Sequence, residues 1–241
     1  MQKTMLLSKR LQAVADLVTP GNRVADVGCD HAYTAIYLVK NQISSHVIAM
    51  DVNQGPVDRA RGNILKYGYQ EKIETRKSDG LDQLKPREAD TLLIAGMGGA
   101  LTVRILQAHK EVVESVRELV LQPQSQIYLV RELMERIGFL ITKENMIYED
   151  GKYYVMMKAE AKVMVAEANG FELENRVHFS FGRLLLEQHN PLLLEFLKKE
   201  YKRCSQILRT LSVKQTNQTL LREKEITDEI GLIMKGLSYF E

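Results

Sequence analysis

The amino-acid sequence predicts an α/β fold: a mostly parallel sheet with helices on both faces, closed by an antiparallel hairpin and followed by a helical subdomain. Three observations predict it. From residue 23 to about residue 137, short β-branched runs alternate with helix-forming segments, and such alternation implies parallel strands joined by crossover helices. Two β-rich runs then flank Glu149-Asp150-Gly151, and Asp-Gly between such runs signals a tight hairpin. Beyond residue 161 the strand pattern stops, and apolar residues recur at spacings of three and four.

The elements follow in order. Residues 7–18 carry Leu7, Leu11, Val14 and Val18 on one helical face, with Ser8 placed to cap it. Thr19-Pro20-Gly21-Asn22 is turn chemistry. Strands are expected at 23–27, 46–51, 73–77, 90–95 and 118–122, and helices at 33–41, 56–67, 100–115 and 126–137. Gly68, Pro123 and Gly138 punctuate them. The hairpin strands are expected at 139–148 and 152–158. A dinucleotide-binding Rossmann domain is usually built with a parallel sixth strand, so antiparallel closure favours the methyltransferase variant of that fold.

Residues 161–176, with Asn169-Gly170, read as a connector, and Asn190-Pro191 ends one short segment. Leu194, Leu197, Tyr201, Cys204, Leu208 and Leu211 form one apolar stripe; Ile226, Ile230, Ile233 and Leu237 form another. The polar stretch Lys214–Thr219 lies between them as a turn. This pattern fits an antiparallel coiled-coil hairpin or an ordinary helical subdomain packed on the sheet. The expected division is a Rossmann-like domain at 1–160 and a helical, coiled-coil-like domain at 161–241.

Composition narrows the function. The chain has 241 residues, 45% hydrophobic and 27% charged, enough for one large domain or one domain with an appendage. Its net charge of +2 implies no strongly cationic surface, so a nucleic acid would be held by a local patch. Lys198, Lys199, Lys202, Arg203, Arg209 and Lys214 offer one, with Lys9, Arg10 and Arg23 as a possible extension; a solvated helix face is the alternative. No apolar run approaches the ~20 residues that span a bilayer, and the N-terminus lacks a signal-peptide core. No membrane partner is therefore expected, and the expected location is cytoplasmic. Cys29 and Cys204 are the only cysteines, which fits neither a disulfide framework nor a zinc site, and the histidines are scattered. No metal is expected.

The densest chemistry lies in Val24-Ala-Asp-Val-Gly-Cys-Asp-His-Ala-Tyr33. Asp26 and Gly28 occupy a strand-to-helix turn, where backbone and a helix N-terminus approach a ligand closely. Asp30 sits where a G-x-G-x-x-G loop has its second glycine. A pyrophosphate would meet that carboxylate unfavourably. S-adenosylmethionine carries a sulfonium and an ammonium and no phosphate, so acids at the turn are tolerated or useful. Asp51, ending the second strand, is placed to accept hydrogen bonds from ribose hydroxyls, with Val52 and Asn53 beside it. Asp79 and Gly80 follow the third strand, where a carboxylate meets an adenine amino group. Ala95-Gly96-Met97-Gly98-Gly99 follows the fourth, leaving space for a flat acceptor, and Gln122-Pro123-Gln124-Ser125 follows the fifth. Tyr33 is placed to stack on a base. Each also has a plain structural alternative as turn, cap or core.

These strings resemble the bacterial TrmK family, the tRNA adenine-22 N1-methyltransferases. The carriers are Val24–Tyr33, Met50-Asp-Val-Asn53, Ser78-Asp-Gly-Leu81, Ile94-Ala-Gly-Met-Gly-Gly99 and Leu121-Gln-Pro-Gln-Ser125. The resemblance runs nearly the full length. It implies a class I S-adenosylmethionine-dependent methyltransferase fold, S-adenosylmethionine as cofactor, tRNA as partner, no obligate protein partner, and a C-terminal coiled coil assisting tRNA binding. Asp26, Gly28, Asp51, Val52, Asn53, Asp79, Gly80, Ala95, Gly96 and Met97 are then the expected cofactor residues. Asp30 is the candidate for stabilising the cationic adenine product, and His31 and Tyr33 are candidates for base positioning. A small-molecule methyltransferase, a methyltransferase for another RNA base and a non-catalytic RNA-binding module are the rivals; an NAD-dependent oxidoreductase is disfavoured by Asp30 and the hairpin.

Overall fold

The computed structural model describes residues 7–161, 176–211 and 217–241. The chain forms two compact units, Met1–Gly170 and Phe171–Glu241. In the first, helix α1 (Lys9–Ala15) starts at Ser8, whose Oγ accepts the amide of Leu11 at 3.2 Å. It is shorter than its apolar stripe suggests. Leu17 and Val18 are buried from the turn that follows, not from the helix. Then come β1 (Val24–Val27), α2 (Tyr33–Lys40), β2 (Val47–Asp51), α3 (Gln54–Tyr67), β3 (Ile73–Lys77), β4 (Thr91–Ala95), α4 (Gly99–Ala108), α5 (Lys110–Ser115), β5 (Glu118–Gln122), α6 (Ile127–Arg136), β6 (Phe139–Glu149) and β7 (Lys152–Ala161). The single helix expected at 100–115 is two, because His109 leaves helical geometry (φ −124, ψ 50). Its Nε2 lies 3.3 Å from the Asp82 carboxylate.

The sheet order is β3-β2-β1-β4-β5-β7-β6. Strands β1 to β5 are parallel, and β7 runs antiparallel between β5 and β6. Asp150 (φ 50) and Gly151 (φ 78) both take positive φ, as a two-residue hairpin turn with the right twist requires. Side chains alternate between two cores. Ala25, Ile48, Leu92 and Leu119 meet Ile105, Val113 and Leu133 of α4–α6 on one face. Val24, Val47, Leu93 and Val120 meet Val14, Ile36 and Ile64 of α1–α3 on the other. Burial on both faces explains why Thr91-Leu-Leu-Ile-Ala95 reads as a continuous apolar run.

One buried polar cluster ties the starts of β4 and β5, and β7 beside them, to the chain before β1. The Glu118 carboxylate accepts from Thr19 N (2.9 Å), Thr19 Oγ1 (2.5 Å) and Thr91 Oγ1 (2.7 Å), and pairs with Lys158 Nζ at 2.8 Å. Lys158 also donates to Thr19 Oγ1. Burial alone would raise the Glu118 pKa; hydrogen bonds from Lys158 and Thr19 outweigh it and hold the carboxyl below its ordinary 4.5. A second buried pair, Arg131–Glu144 at 2.8 Å, fixes α6 to β6.

The second unit comprises α7 (Arg176–Phe181), α8 (Arg183–Glu187), α9 (Pro191–Leu211), α10 (Asn217–Leu237) and a closing 3-10 turn, Ser238–Phe240. Asn190 both ends the short helices and starts α9: its Oδ1 accepts the amides of Leu192 (3.0 Å) and Leu193 (3.2 Å). Helices α9 and α10 are antiparallel, since Arg203 pairs with Glu229 at 2.8 Å while a Cβ on Gly236 would lie 3.3 Å from Leu197. The buried stripe of α9 is Leu193, Leu197 and Cys204; Leu194 is only half-buried, and Tyr201 is exposed. On α10 it is Ile226 and Ile233. Asn217–Thr219, expected as turn, lie in α10, while 212–216 and most of the connector at 161–176 fall outside the described residues. No described helix is long and apolar enough to cross a membrane.

Replacing Lys158 with Met should destabilise the protein by about 3–5 kcal/mol in urea unfolding, because the Glu118 charge then loses its buried counter-ion. Pairing it with Glu118→Gln should recover part of that loss. Because folding lowers the Glu118 pKa, its contribution is present above pH 4.5 and lost as pH falls through the folded value, so the wild-type melting temperature should drop on that acid limb.

Candidate active site

Parallel strands bring their C-terminal ends to one edge, and the turns there hold most of the chemistry. Gly28 (φ 80), Asp30 (φ 43) and Ala32 (φ 55) all take left-handed backbone conformations after β1. The turn is anchored by the amides of Gly28 and Cys29, both donating to Met50 O of β2 at 2.8 and 2.9 Å. Asp tolerates this region better than most residues, so Asp30 meets the conformational demand of a glycine while placing a carboxylate there. A Cβ on Gly28 would stand 2.4 Å from Met97 Cε, so the Met97 side chain occupies the space that a side chain at 28 would need.

A cavity of about 350 Å³ opens at this edge, lined by Arg10, Leu11, Asp26, Gly28, Cys29, Asp30, His31, Tyr33, Thr34, Ala95, Gly96 and Gln124. Seven expected site residues meet there: Asp26, Gly28, Asp30, His31, Tyr33, Ala95 and Gly96. Asp51, Val52, Asn53, Asp79, Gly80 and Met97 do not line it. Asp51 continues the same edge on β2, in register with Lys77 of β3, and Asp79 lies just past that strand's end. Asp51 Oδ1 accepts the Asn53 amide at 3.0 Å, which orients the carboxylate at the head of α3. Gly80 (φ 55) has a packing reason as well: its Cβ would lie 3.1 Å from Ile105.

Asp26 dominates the electrostatics. It is on β1, in register with Ala49 and Leu93, so its side chain enters the apolar face covered by α1–α3. It is 4% exposed, and Oδ2 has no hydrogen-bond partner among the described residues. Burial first, and the charge of Asp51 second, push its pKa from 3.8 up to about 7. Burial and the same two acids raise the Cys29 thiol too, so it stays protonated and is no nucleophile at neutral pH.

Asp30 lines the cavity and already has a cationic partner. Its carboxylate is 59% exposed and bonded to Arg59 Nη2 of α3 at 2.8 Å, with His31 Nε2 at 3.4 Å. An acid neutralised by a guanidinium offers less to a cationic product than a free one. His31 and Tyr33 stack, with centroids 5.5 Å apart and planes 15° from parallel, forming an aromatic ledge on the cavity rim.

The Gly96–Gly99 loop has a packing logic that its glycines conceal. It runs beside the loop after β5: Gly96 N donates to Gln122 O (3.0 Å), Gln124 N to Met97 O (2.8 Å) and Gly99 N to Ser125 O (2.8 Å). A Cβ on Gly99 would sit 2.4 Å from Gln126 O, so Gly99 serves close backbone approach and not a ligand. Gly96 alone of the three lines the cavity. Arg10 was the residue least visible in sequence as part of this site, where it reads only as one member of a basic patch. In the fold its Nη1 donates to Gln122 Oε1 at 2.7 Å, and its guanidinium lies 5.7 Å from the Tyr154 ring centroid.

Comparison with known proteins is consistent with this architecture. Residues 7–157 match the family described as Methyltransferase domain. The tRNA (adenine(22)-N(1))-methyltransferase of Bacillus subtilis (strain 168) is 34% identical over 234 residues, covering 97% of this chain and 98% of that protein. The crystal structure of the B. subtilis m1A22 tRNA methyltransferase TrmK has a TM-score of 0.85 at 33% identity, covering 97% of this chain and 100% of that one. The structure of M. capricolum TrmK in complex with S-adenosyl-homocysteine has a TM-score of 0.82 at 28% identity, covering 98% and 100%. Agreement at this level, running through the sheet unit and the helical unit alike, decides membership: the chain belongs to the tRNA (adenine(22)-N(1))-methyltransferase family.

Proposed function

We infer that this protein transfers the methyl group of S-adenosylmethionine to N1 of adenine 22 in tRNA. The observation that carries the reading is the full-length similarity to the B. subtilis enzyme, and the geometry agrees with it. An edge bearing Asp26, Asp51 and Asp79 repels a pyrophosphate and suits a ligand with cationic sulfur and nitrogen. The unpartnered Oδ2 of Asp26 is a buried acceptor waiting for a donor, which the α-ammonium of S-adenosylmethionine supplies. Asp51 would take the ribose hydroxyls, and Asp79 the adenine amino group.

Bound S-adenosylmethionine supplies an electrophilic methyl carbon. Adenine N1 carries no proton, so its lone pair forms the new N–C bond while the C–S electrons return to sulfur; no general base is required. The fold's task is alignment of the two reactants. The His31–Tyr33 ledge would hold the adenine plane, and Gly96 leaves the backbone flat beside it. N1 lies on the base-pairing edge, so the nucleotide must be presented unpaired. In the helical unit, Lys198 and Lys202 are exposed on α9 and suit phosphate contact, whereas Arg203 is tied to Glu200 and Glu229 at 2.6 and 2.8 Å.

Three outcomes test this. Incubation of the protein with unmodified bulk tRNA and labelled S-adenosylmethionine should give 1-methyladenosine mapping to position 22; a different modified nucleoside would overturn the substrate assignment. Tyr33→Ala should raise the KM for tRNA on the order of tenfold, as expected for loss of a base stack, while calorimetric affinity for S-adenosylhomocysteine stays within about twofold. The third concerns pH. Folding raises the Asp26 pKa, so the stability linked to it is full below pH 3.8 and declines as pH rises toward about 7. Cofactor affinity has the opposite sign, since an ammonium needs the ionised acid. S-adenosylhomocysteine binding should tighten on the order of tenfold between about pH 5.5 and about pH 7, below the ordinary α-amino pKa, and Asp26→Asn should flatten that profile.

A further inference from the structure

We propose, resting on the tRNA reading above, that the tip of the β6–β7 hairpin is a base-stacking surface for the substrate: Tyr148 and Tyr153 receive a base that neighbours the target adenine. The hairpin overshoots the sheet at the edge that holds the cavity. Leu121, next to the end of β5, is the last residue of that strand in register with β7, opposite Met157. Lys152–Met156 run on past this pair, about 16 Å of extended strand, with Asn145–Glu149 of β6 beside them. Alternation divides the overhang between two faces. On one, Ile147 and Tyr154 pack against the α1–α3 core, and Arg10, which lines the cavity, lies over the Tyr154 ring. The overhang therefore adjoins the cavity wall. The other face carries Met146 and Val155, both buried, and then Tyr148 and Tyr153 nearer the turn. These two are cross-strand partners with ring centroids 4.7 Å apart, and Tyr148 is 44% exposed. Helix α6 starts at the same edge. The Arg131–Glu144 pair fixes it against β6 and sets the exposed Tyr128 one turn nearer the edge than Arg131.

Exposed aromatic residues gathered beside a cavity mark an interaction site, and the chemistry here selects RNA. A tyrosine ring offers its face to any base. Lys152 at the turn is exposed and has no ion pair among the described residues, while Glu149 opposite it binds the amides of Lys9 and Arg10 at 2.7 and 3.1 Å. Lys152 therefore suits a phosphate. Asp150 in the turn offsets part of that charge, so stacking and not net charge carries the contact. The reaction supplies the occupant. Adenine N1 meets the methyl group only from an unpaired base, and taking that base out of its stack exposes the faces of its neighbours. Each neighbour is joined to the adenine by one phosphodiester, so it lies at the rim when the adenine is in the cavity. An aromatic pair at the rim replaces the stacking partner that the neighbour has lost.

Steady-state kinetics with unmodified tRNA, and a crosslink, test this. Tyr148→Leu should raise the KM for tRNA about 5- to 100-fold, the range for losing a base stack. Tyr148→Phe, which keeps the ring, should stay within about twofold of the wild type. In both variants kcat and the calorimetric affinity for S-adenosylhomocysteine should change less than about twofold, as expected of a group that touches only the RNA. In the wild type, tRNA carrying 5-iodouridine on either side of adenine 22 should crosslink under ultraviolet light to the peptide holding Tyr148 and Tyr153, a measurement that needs no variant to fold. A KM unchanged by Tyr148→Leu, or crosslinks confined to other peptides, would overturn the proposal. Equal loss in the Leu and Phe variants would overturn it too, since the hydroxyl and not the ring would then make the contact. Loss of S-adenosylhomocysteine affinity alongside the raised KM would assign the tyrosines to the shape of the cavity wall, and a dimer lost on sedimentation of Tyr148→Leu would assign them to a second copy of the chain; either result overturns it. A wild type that leaves adenine 22 unmethylated would overturn the function reading beneath it. If the wild type methylates that base and only the tyrosine arms fail, the stacking surface falls and that reading stands.

Discussion

A parallel sheet buried on both faces leaves little but its ends for chemistry, and this constraint organises the molecule. Five strands must run the same way, with helices on either side, so their C-terminal turns gather along one edge. Residues distant in sequence become neighbours there: Gly28 after β1, Asp51 on β2, Gly96 after β4 and Gln122 on β5. The same constraint makes Asp26 costly. It occupies an inward-facing strand position beside Ala49 and Leu93, where a carboxylate is costly unless it is protonated or given a partner.

Strand existence and order of appearance were legible because burial on two faces writes long apolar runs, and because Asp150-Gly151 demands positive φ twice. Helix ends were less legible. The break at His109 leaves the helical period of 100–115 nearly intact, so periodicity could not reveal it. The α9 stripe was displaced by one position, Leu193 for Leu194, because three consecutive leucines at 192–194 satisfy more than one register.

At the site, sequence identified the acids that end strands, since polar residues closing apolar runs stand out. It could not show what each acid meets. Asp30 reads as free, yet Arg59 lies one turn into a helix from a different crossover and neutralises it. The glycines at 96, 98 and 99 read as one cradle, yet Gly99 answers to the backbone of the neighbouring loop. Arg10 carries no local pattern at all; its place in the cavity is created by pairings with residues more than a hundred positions away.

That last feature bears on how the protein matures as it is made. Helix α1 is synthesised before the sheet it packs on, but the carboxylate that fixes its amino end belongs to Glu149, 140 positions after Lys9. Its trailing turn waits likewise for Glu118, 99 positions after Thr19. Contacts of such separation form late and slowly. The nascent chain therefore carries β1 to β3 and their turns well before Gln122 and Glu149, the residues that fix Arg10, have been made. The anchor at the head of α1 is complete only when the hairpin bearing Glu149 has been added.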